Sequence, residues 1–242
     1  MKIRIFQDSE TASSKAADLI ARLSQRYTRR KGIFVLALSG GATPRKLYEY
    51  LGSGRYHNLC DWDAIHIFQV DERFVPSTHR DSNFRLLRKT LFLPASIPET
   101  NIHPVPTEAA SLSEAASRYE KAMEKFFRLP SGKLPAFHCI LLGIGEDGHT
   151  ASLFPGDPVF EEQKRFALPV ENAYHPHPRI TLSLPVLNHS ENIIFLVSGK
   201  KKASVVRKVL REEDPSLPAS LVRPAHRNLF FYLDRDAASL LS

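Results

Sequence analysis

The sequence is poor in cysteine and in long hydrophobic runs. Its 242 residues include only two cysteines, Cys60 and Cys139, which excludes a disulfide scaffold or a cysteine-rich zinc site. The longest apolar stretches, such as Ile33–Leu38 and Ile193–Val197, fall far short of the roughly 20 residues that a membrane helix requires. The N-terminal residues contain no apolar signal segment. We therefore expect a cytoplasmic protein without a membrane partner.

Excess charge of one sign is present but scattered. Hydrophobic residues make up 43% and charged residues 24%, as in ordinary globular proteins, so we expect one domain over residues 1–242. The formal net charge is +7, yet only residues 29–31 and 200–202 form basic runs. A nucleic-acid-binding protein usually concentrates its charge in a stripe or tail. A small anionic substrate is therefore a better expectation than nucleic acid.

Apolar runs alternate with segments of helical periodicity. This order predicts an α/β protein with a Rossmann-like, mostly parallel twisted sheet and helices on both faces. Ligands in such sheets bind beyond the carboxyl ends of the strands. The predicted strands are Lys2–Phe6, Ile33–Leu38, Ile65–Val70, Phe137–Leu142, Phe166–Val170, Arg179–Leu184, Ile193–Val197 and Leu229–Leu233, and the predicted helices are Ser9–Thr28, Thr43–Leu51, Asp81–Leu91, Leu112–Phe127 and Lys201–Leu210.

Two predicted strands are followed by segments suited to anions. After Leu38, the glycines of Ser39–Arg45 allow a sharp turn, with Thr43 as the expected helix N-cap. Unpaired N–H groups at such a turn can hold an anion, although an ordinary strand–helix turn is the alternative. After Val70, the charged run Asp71–Arg73 is either a surface loop or faces a cleft. In a cleft, Arg73 would hold a phosphate or a developing oxyanion.

The glycine-rich segment after Leu142 suggests catalysis. Residues 143–148 read G-x-G-x-x-G, but Glu146 and Asp147 would repel the pyrophosphate of a dinucleotide. The better interpretation is that the loop presents His149, with Asp147 hydrogen-bonded to one imidazole nitrogen. The other nitrogen would take a proton from water.

A basic run follows the strand that ends at Val197. A lysine next to a glycine turn opposes the helix dipole there, a conflict that an anionic ligand would remove, and Arg179 adds a second cation. His175 and His177 lie close together, but no H-E-x-x-H sequence or cysteine partner accompanies them. We therefore predict no metal and no other cofactor.

Four segments in this order resemble the 6-phosphogluconolactonases and, more distantly, the glucosamine-6-phosphate deaminases. The resemblance implies a sugar-phosphate isomerase/deaminase-like fold without a nucleotide. Thr150–Pro155 contains no acid where the deaminases carry a supporting glutamate, and Arg73 stands where they tend to carry an aromatic residue, so the lactonases are favoured. Ala42 and Phe84 depart from the Ser and Tyr common in lactonases. The segments are Ser39–Pro44, Asp71–Asn83, Gly143–Gly156 and, more weakly, Gly199–Ala203.

The resemblance implies hydrolysis of 6-phospho-D-glucono-1,5-lactone, the second step of the oxidative pentose phosphate pathway. His149 would be the base, Asp147 would orient it, and Arg73 would act on either the carbonyl or the phosphate. Lys202 is preferred to Lys200 and Lys201 because it fits the family's Gly-x-x-Lys-Ala spacing. The expected phosphate-binding residues are Ser39, Gly40, Gly41, Thr43, Arg179 and Lys202, and the other pocket residues are Asp71, Asn83 and Gly145.

Two other functions compete with this prediction. One is a sugar-phosphate isomerase or deaminase, and the other is a non-catalytic binder of anions or nucleic acid. Release of ammonia from glucosamine 6-phosphate would identify the first, and steep salt dependence of DNA binding would identify the second. The sequence does not determine the oligomeric state, for which we expect a monomer.

Overall fold

The computed structural model describes residues 1–171, 176–226 and 228–241. The strands are β1 Lys2–Phe6, β2 Phe34–Leu38, β3 Ile65–Gln69, β4 Asp71–Arg73, β5 Ile102–His103, β6 Cys139–Leu142, β7 Ala167–Val170, β8 Arg179–Leu182, β9 Ile193–Val197 and β10 Leu229–Asp234. The α-helices are α1 Ser9–Lys31, α2 Arg45–Leu51, α3 Gly54–His57, α4 Asn83–Leu87, α5 Leu112–Phe127, α6 Leu184–Asn188 and α7 Ala203–Arg207. None of the helices in these described ranges is long and apolar enough to span a bilayer.

Within the described residues, seven strands form a parallel sheet in the order β1-β10-β9-β6-β2-β3-β5. The residues of strand β2 show that the sheet is covered on both faces. Phe34, Leu36 and Leu38 pack in one hydrophobic cluster with α1 and α2, while Val35 and Ala37 pack in the other with α5. A strand buried on both faces requires a continuous apolar run. The predicted fold class is confirmed.

A second sheet was not predicted. Strands β4, β8 and β7 pair antiparallel in that order, and in the β4–β8 register Arg73 lies opposite Arg179. The sequence placed the apolar runs of β7 and β8 in the parallel sheet, because buried strands of either kind look alike over four residues. The charged strand β4 has no apolar pattern, so the sequence does not predict it as a strand.

Helix boundaries also differ from the predictions, and α1 ends at Lys31 rather than at Thr28. The helix expected from Thr43 begins at Arg45, with Pro44 at the N-cap position and no side-chain cap, so Thr43 is not the N-cap. The helices predicted for 81–91 and 201–210 are composite. The short helices α4 and α7 each continue into a π-helical turn, and a 3₁₀ turn over Lys200–Lys202 precedes α7. By contrast, α5 and β9 have the predicted bounds.

Strand order determines where chemistry can occur. The strands β9, β6, β2 and β3 are consecutive neighbours in the parallel sheet. Their carboxyl ends therefore lie side by side, and each is followed by one of the four segments singled out in the sequence. The short antiparallel sheet adds Arg179 to the same edge.

Candidate active site

A cleft of about 360 Å³ lies at the carboxyl edge of the parallel sheet. Every predicted site residue except Asp147 lines it, and Asp147 contacts the His149 ring instead. The lining residues are Ser39, Gly40, Gly41, Ala42, Thr43, Pro44, Asp71, Arg73, Asn83, Gly143, Ile144, Gly145, His149, Ala151, Arg179, Leu196, Val197, Ser198 and Lys202.

Asp147 and His149 form a close pair in the glycine-rich loop. The Nδ1 atom of His149 lies 2.6 Å from Oδ1 of Asp147, and the backbone N–H of His149 donates to the same oxygen at 3.2 Å. Phe154 packs against the imidazole with ring centroids 4.8 Å apart. These contacts orient the ring on the side of the cleft.

The charge of Asp147 determines the imidazole tautomer. Burial raises the pKa of the carboxyl, but the hydrogen bonds and charge of His149 outweigh it and lower the pKa to about 2. An ionised carboxylate can only accept, so the proton between the two groups resides on Nδ1. The Nε2 atom then carries the lone pair, as a general base requires.

Glycine at position 145 is a steric requirement of the pair. A Cβ there would lie 2.1 Å from Nδ1 of His149 and 2.2 Å from Oδ1 of Asp147. The loop is also tightly wound, because Gly148 has a φ of +89° and Ala151 a φ of +53°. Strained backbone of this kind is often found at functional sites.

Two arginines lie opposite each other on neighbouring strands of the antiparallel sheet. Arg73 and Arg179 are directly opposed in the β4–β8 register, and both line the cleft. Like charges in such a position repel, so the arrangement favours an anion between or beside them. Arg73 donates from Nη1 to the carbonyl of Asp81 at 3.0 Å and also contacts Oδ1 of Asn83.

The second arginine is partly compensated by a buried acid. Nη1 of Arg179 lies 3.9 Å from Oδ2 of Asp71, which also accepts a hydrogen bond from Oγ of Ser152 at 2.7 Å. Burial lowers the pKa of the Arg179 guanidinium, while the Asp71 charge opposes that shift. The guanidinium therefore keeps its charge beside the cleft.

Glu72 organises the segment that carries Arg73 and Asn83. The residue is only 2% exposed, and burial raises the pKa of its carboxyl while its hydrogen bonds oppose the rise. Oε1 accepts from the backbone N–H groups of Arg73 and Asn83, at 2.7 and 2.8 Å. Oε2 accepts from Gln69 Nε2, Ser82 Oγ and Phe84 N, at 2.8, 3.1 and 2.7 Å. Glu72 thus holds the backbone of Arg73, Asn83 and Phe84 in place.

The loop after β2 approaches the same segment closely. A Cβ on Gly40 would lie 1.7 Å from Oδ1 of Asn83, and Gly41 has a φ of +100°, so both positions need glycine. The hydroxyl of Ser39 donates to the carbonyl of Leu141 at 2.9 Å, and the hydroxyl of Tyr48 donates to the carbonyl of Ser39. The hydroxyl of Ser39 thus anchors the loop to β6, and Tyr48 holds its carbonyl.

Of the three consecutive lysines, Lys202 is the one that lines the cleft. Burial lowers the pKa of its ammonium, and the charges of Glu146 and Asp147 oppose that shift. Lys200 and Lys201 are exposed. Arg73, Arg179 and Lys202 thus bring three cations to one cleft, and among the described residues that line it Asp71 is the single acid.

Sequence reasoning missed several residues that support the site. Ser152 was missed because a buried serine gives no signal until its partner Asp71 is known. Tyr48 was missed because helical periodicity assigns it to the core, where it does lie. His175, which was considered as a metal ligand, lies outside the described residues.

The chain is similar in sequence and in structure to proteins of a known family. The chain matches the family model of glucosamine-6-phosphate isomerases/6-phosphogluconolactonase over residues 7–231. It is 40% identical to the 6-phosphogluconolactonase of Synechocystis sp. over 213 residues, covering 87% of this chain and 86% of the relative. The solved 6-phosphogluconolactonase of Trypanosoma cruzi is 28% identical, with a TM-score of 0.88 over 100% of this chain and 97% of that one.

The fold is shared more widely. A monomeric glucosamine-6-phosphate deaminase of known structure is 25% identical, with a TM-score of 0.80, covering 99% of this chain and 100% of that one. The backbone alone therefore does not separate lactone hydrolysis from deamination, and the side chains of the cleft must do so.

Proposed function

The chain belongs to the family of glucosamine-6-phosphate isomerases and 6-phosphogluconolactonases, and within it we propose that this protein hydrolyses 6-phospho-D-glucono-1,5-lactone to 6-phospho-D-gluconate. The observation that carries the proposal is the Asp147–His149 pair beside a cleft with three cations. A lactone carbonyl is already electrophilic, so hydrolysis needs only a positioned base and positive charge near the oxyanion.

His149 acts as the base. Its Nε2 atom takes a proton from water as the water oxygen attacks the lactone carbonyl carbon. The tetrahedral intermediate then collapses, the bond from that carbon to the ring oxygen breaks, and the imidazolium returns the proton to the leaving oxygen. Asp147 stabilises the transient positive charge on the ring and keeps Nδ1 protonated. No net proton is left on the enzyme.

The phosphate serves as a remote handle. Lys202, Arg179 and the backbone of residues 39–43 bind it, and the binding energy positions the reacting end of the sugar. Arg73 serves either the phosphate or the oxyanion, since the β4–β8 register brings it to the same cleft as Arg179. Asp71, Asn83 and Gly145 complete the pocket.

A three-substrate assay tests the proposal. Base consumption is followed on freshly prepared 6-phosphogluconolactone and on the unphosphorylated lactone, each corrected for spontaneous hydrolysis, and ammonia release is followed on glucosamine 6-phosphate. We expect hydrolysis of the phosphorylated lactone, a much lower kcat/KM without the phosphate, and no ammonia. Ammonia release without lactone hydrolysis would assign the chain to the deaminases instead.

The remaining expectations belong to the same proposal. We propose a monomeric, cytoplasmic, single-domain enzyme of the oxidative pentose phosphate pathway that binds neither nucleic acid nor membranes. Sedimentation at two protein concentrations tests the monomer. Titration with random DNA at low and high salt tests the absence of a nucleic-acid partner, because phosphate contacts would produce a steep salt dependence.

A further inference from the structure

A group of three metal-ligating side chains lies outside the proposed catalytic pair. Within the described ranges, His79, Asp81 and His177 form the one cluster of three or more such residues whose ligand atoms all lie within 4.8 Å of one another. Nε2 of His177 lies 3.0 Å from Oδ2 of Asp81, and Nδ1 of His79 lies 3.8 Å from the same oxygen. The two imidazole rings meet edge to face at 5.4 Å.

The spacing suits a tetrahedral ion. Zinc bonds to nitrogen and oxygen are about 2.0–2.2 Å long, which places neighbouring tetrahedral ligands about 3.3–3.6 Å apart. The observed separations bracket that range, so side-chain shifts of about 1 Å would complete the geometry. The side chains of His79, Asp81 and His177 are 37%, 42% and 25% exposed, which leaves them room to move and gives an ion access from solvent.

The donor set favours one class of metal. Two imidazoles and one carboxylate suit zinc and other borderline transition metals, whereas magnesium and calcium prefer oxygen ligands. The single carboxylate charge is shared with Arg80, whose Nε lies 3.8 Å from Oδ1, so Oδ2 is the oxygen directed at both histidines. Nδ1 of His79 also accepts weakly from the backbone N–H of Asp81, at 3.2 Å, a contact that an ion would replace.

We propose that His79, Asp81 and His177 bind one zinc-class divalent cation at the rim of the cleft. The ligands come from two segments 96 residues apart, which is why spacing in the sequence predicted no metal. The backbone carbonyl of Asp81 holds Arg73, and His177 lies two residues before Arg179. The ion therefore joins the two segments that carry the opposed arginines. It is not a catalytic ion, because it lies outside the residues that line the cleft.

Zinc binding to the purified, tag-free protein tests the proposal. After dialysis against EDTA, zinc is titrated in competition with a chromogenic chelator, with the bound metal counted by mass spectrometry. We expect one zinc per chain, unaffected by millimolar magnesium. In His79→Ala and His177→Ala, zinc affinity should fall at least about tenfold, while circular dichroism stays that of the unsubstituted protein.

Two control variants identify the location of the ion. His57→Ala removes an exposed histidine elsewhere and should bind zinc as the unsubstituted protein does, as should His149→Ala. Absence of stoichiometric zinc would overturn the rim site. So would the reverse pattern, in which His149→Ala loses zinc and His177→Ala binds it as the unsubstituted protein does. The lactonase rate of the EDTA-dialysed enzyme is a separate measurement, in which we expect full activity. A loss of activity that zinc restores even in His177→Ala, which lacks a ligand of the rim site, would count against His149 as the base.

Discussion

At the scale of single residues, the site depends on the contact between His149 and Asp147. The pair was predictable because the two residues are two positions apart in a loop and meet without help from the rest of the fold. The opposition of Arg73 and Arg179 was not predictable, because it depends on an antiparallel register that local patterns do not encode. Local chemistry was therefore recovered from the sequence more fully than cross-strand chemistry.

Gly145→Ala should separate activity from folding. The new Cβ would lie 2.1 Å from Nδ1 of His149, so the imidazole and Asp147 must move apart. We expect a loss of kcat of about 10²-fold or more, as for loss of a positioned base, with little change in the unfolding midpoint. Gly54→Ala, where a Cβ would meet nothing within 4 Å, is the matched control. Unchanged turnover in Gly145→Ala would show that the pair does not act in the reaction.

Asp147→Asn should change the dependence of stability on pH. The folded-state pKa of about 2 lies below the ordinary value of 3.8, so the ionised form stabilises the fold above about pH 4. That contribution is lost as pH falls from about 4 to about 2. The side chain is 48% exposed, so the effect at pH 6 is at most about 1 kcal/mol.

Urea unfolding of the wild-type and Asp147→Asn proteins at several pH values measures that contribution. The difference in unfolding free energy should shrink between pH 4 and pH 2. In a His149→Ala background, the same substitution should have a smaller effect that changes less with pH. A difference that grows as pH falls would contradict the assigned direction of the pKa shift.

At the scale of elements, short strands and loops rather than long helices form the cleft. The long helices α1 and α5 follow from apolar periodicity, so the sequence predicted both, with the end of α1 three residues short. Their side-chain caps at Asp8 and Ser111 are seen only in the structure. The three-residue strand β4 has no such periodicity, yet it carries Asp71, Glu72 and Arg73. Its conformation is maintained by buried hydrogen bonds that become visible only in three dimensions.

Glu72→Gln tests this dependence. A carboxylate accepts on both oxygens, whereas the amide of glutamine would place an NH₂ group against N–H or O–H donors of the buried cluster. We expect the free energy of unfolding to fall by about 3 kcal/mol, as measured by urea denaturation. Glu124→Gln, on the exposed face of α5, should leave it nearly unchanged. Equal stability of the two variants would show that the hydrogen bonds of Glu72 do not hold this segment in place.

At the scale of the whole molecule, the fold brings charged residues that are far apart in the sequence into one cleft. The net charge of +7 is spread along the sequence, but the fold brings Arg73, Arg179 and Lys202 to one cleft. Composition therefore indicates an anionic ligand, and strand order brings to one cleft the three cations that we propose bind it. The convergence also explains why three consecutive lysines are not equivalent, since only one of them lines the cleft.

Lys202→Ala should weaken binding of 6-phosphogluconate about ten- to a hundredfold, the usual worth of a charge-assisted contact. Calorimetric titration measures the affinity, and Lys201→Ala, the exposed neighbour, should retain it. Arg179→Ala is a less clean test, because it would leave the buried Asp71 carboxylate without its ion pair and so destabilise the fold. Equal loss of affinity in both lysine variants would indicate a diffuse electrostatic effect rather than a phosphate contact.

The most direct test of the account is the turnover of 6-phosphogluconolactone by His149→Ala. The exposed His189→Ala serves as the control, and both proteins are first shown to unfold as the unsubstituted protein does. Loss of a general base predicts a fall in kcat of about 10²–10⁴-fold for His149→Ala, with affinity for 6-phosphogluconate little changed and His189→Ala fully active. Turnover of His149→Ala near that of the unsubstituted enzyme would contradict the assignment of the base, and with it the mechanism built on the Asp147–His149 pair.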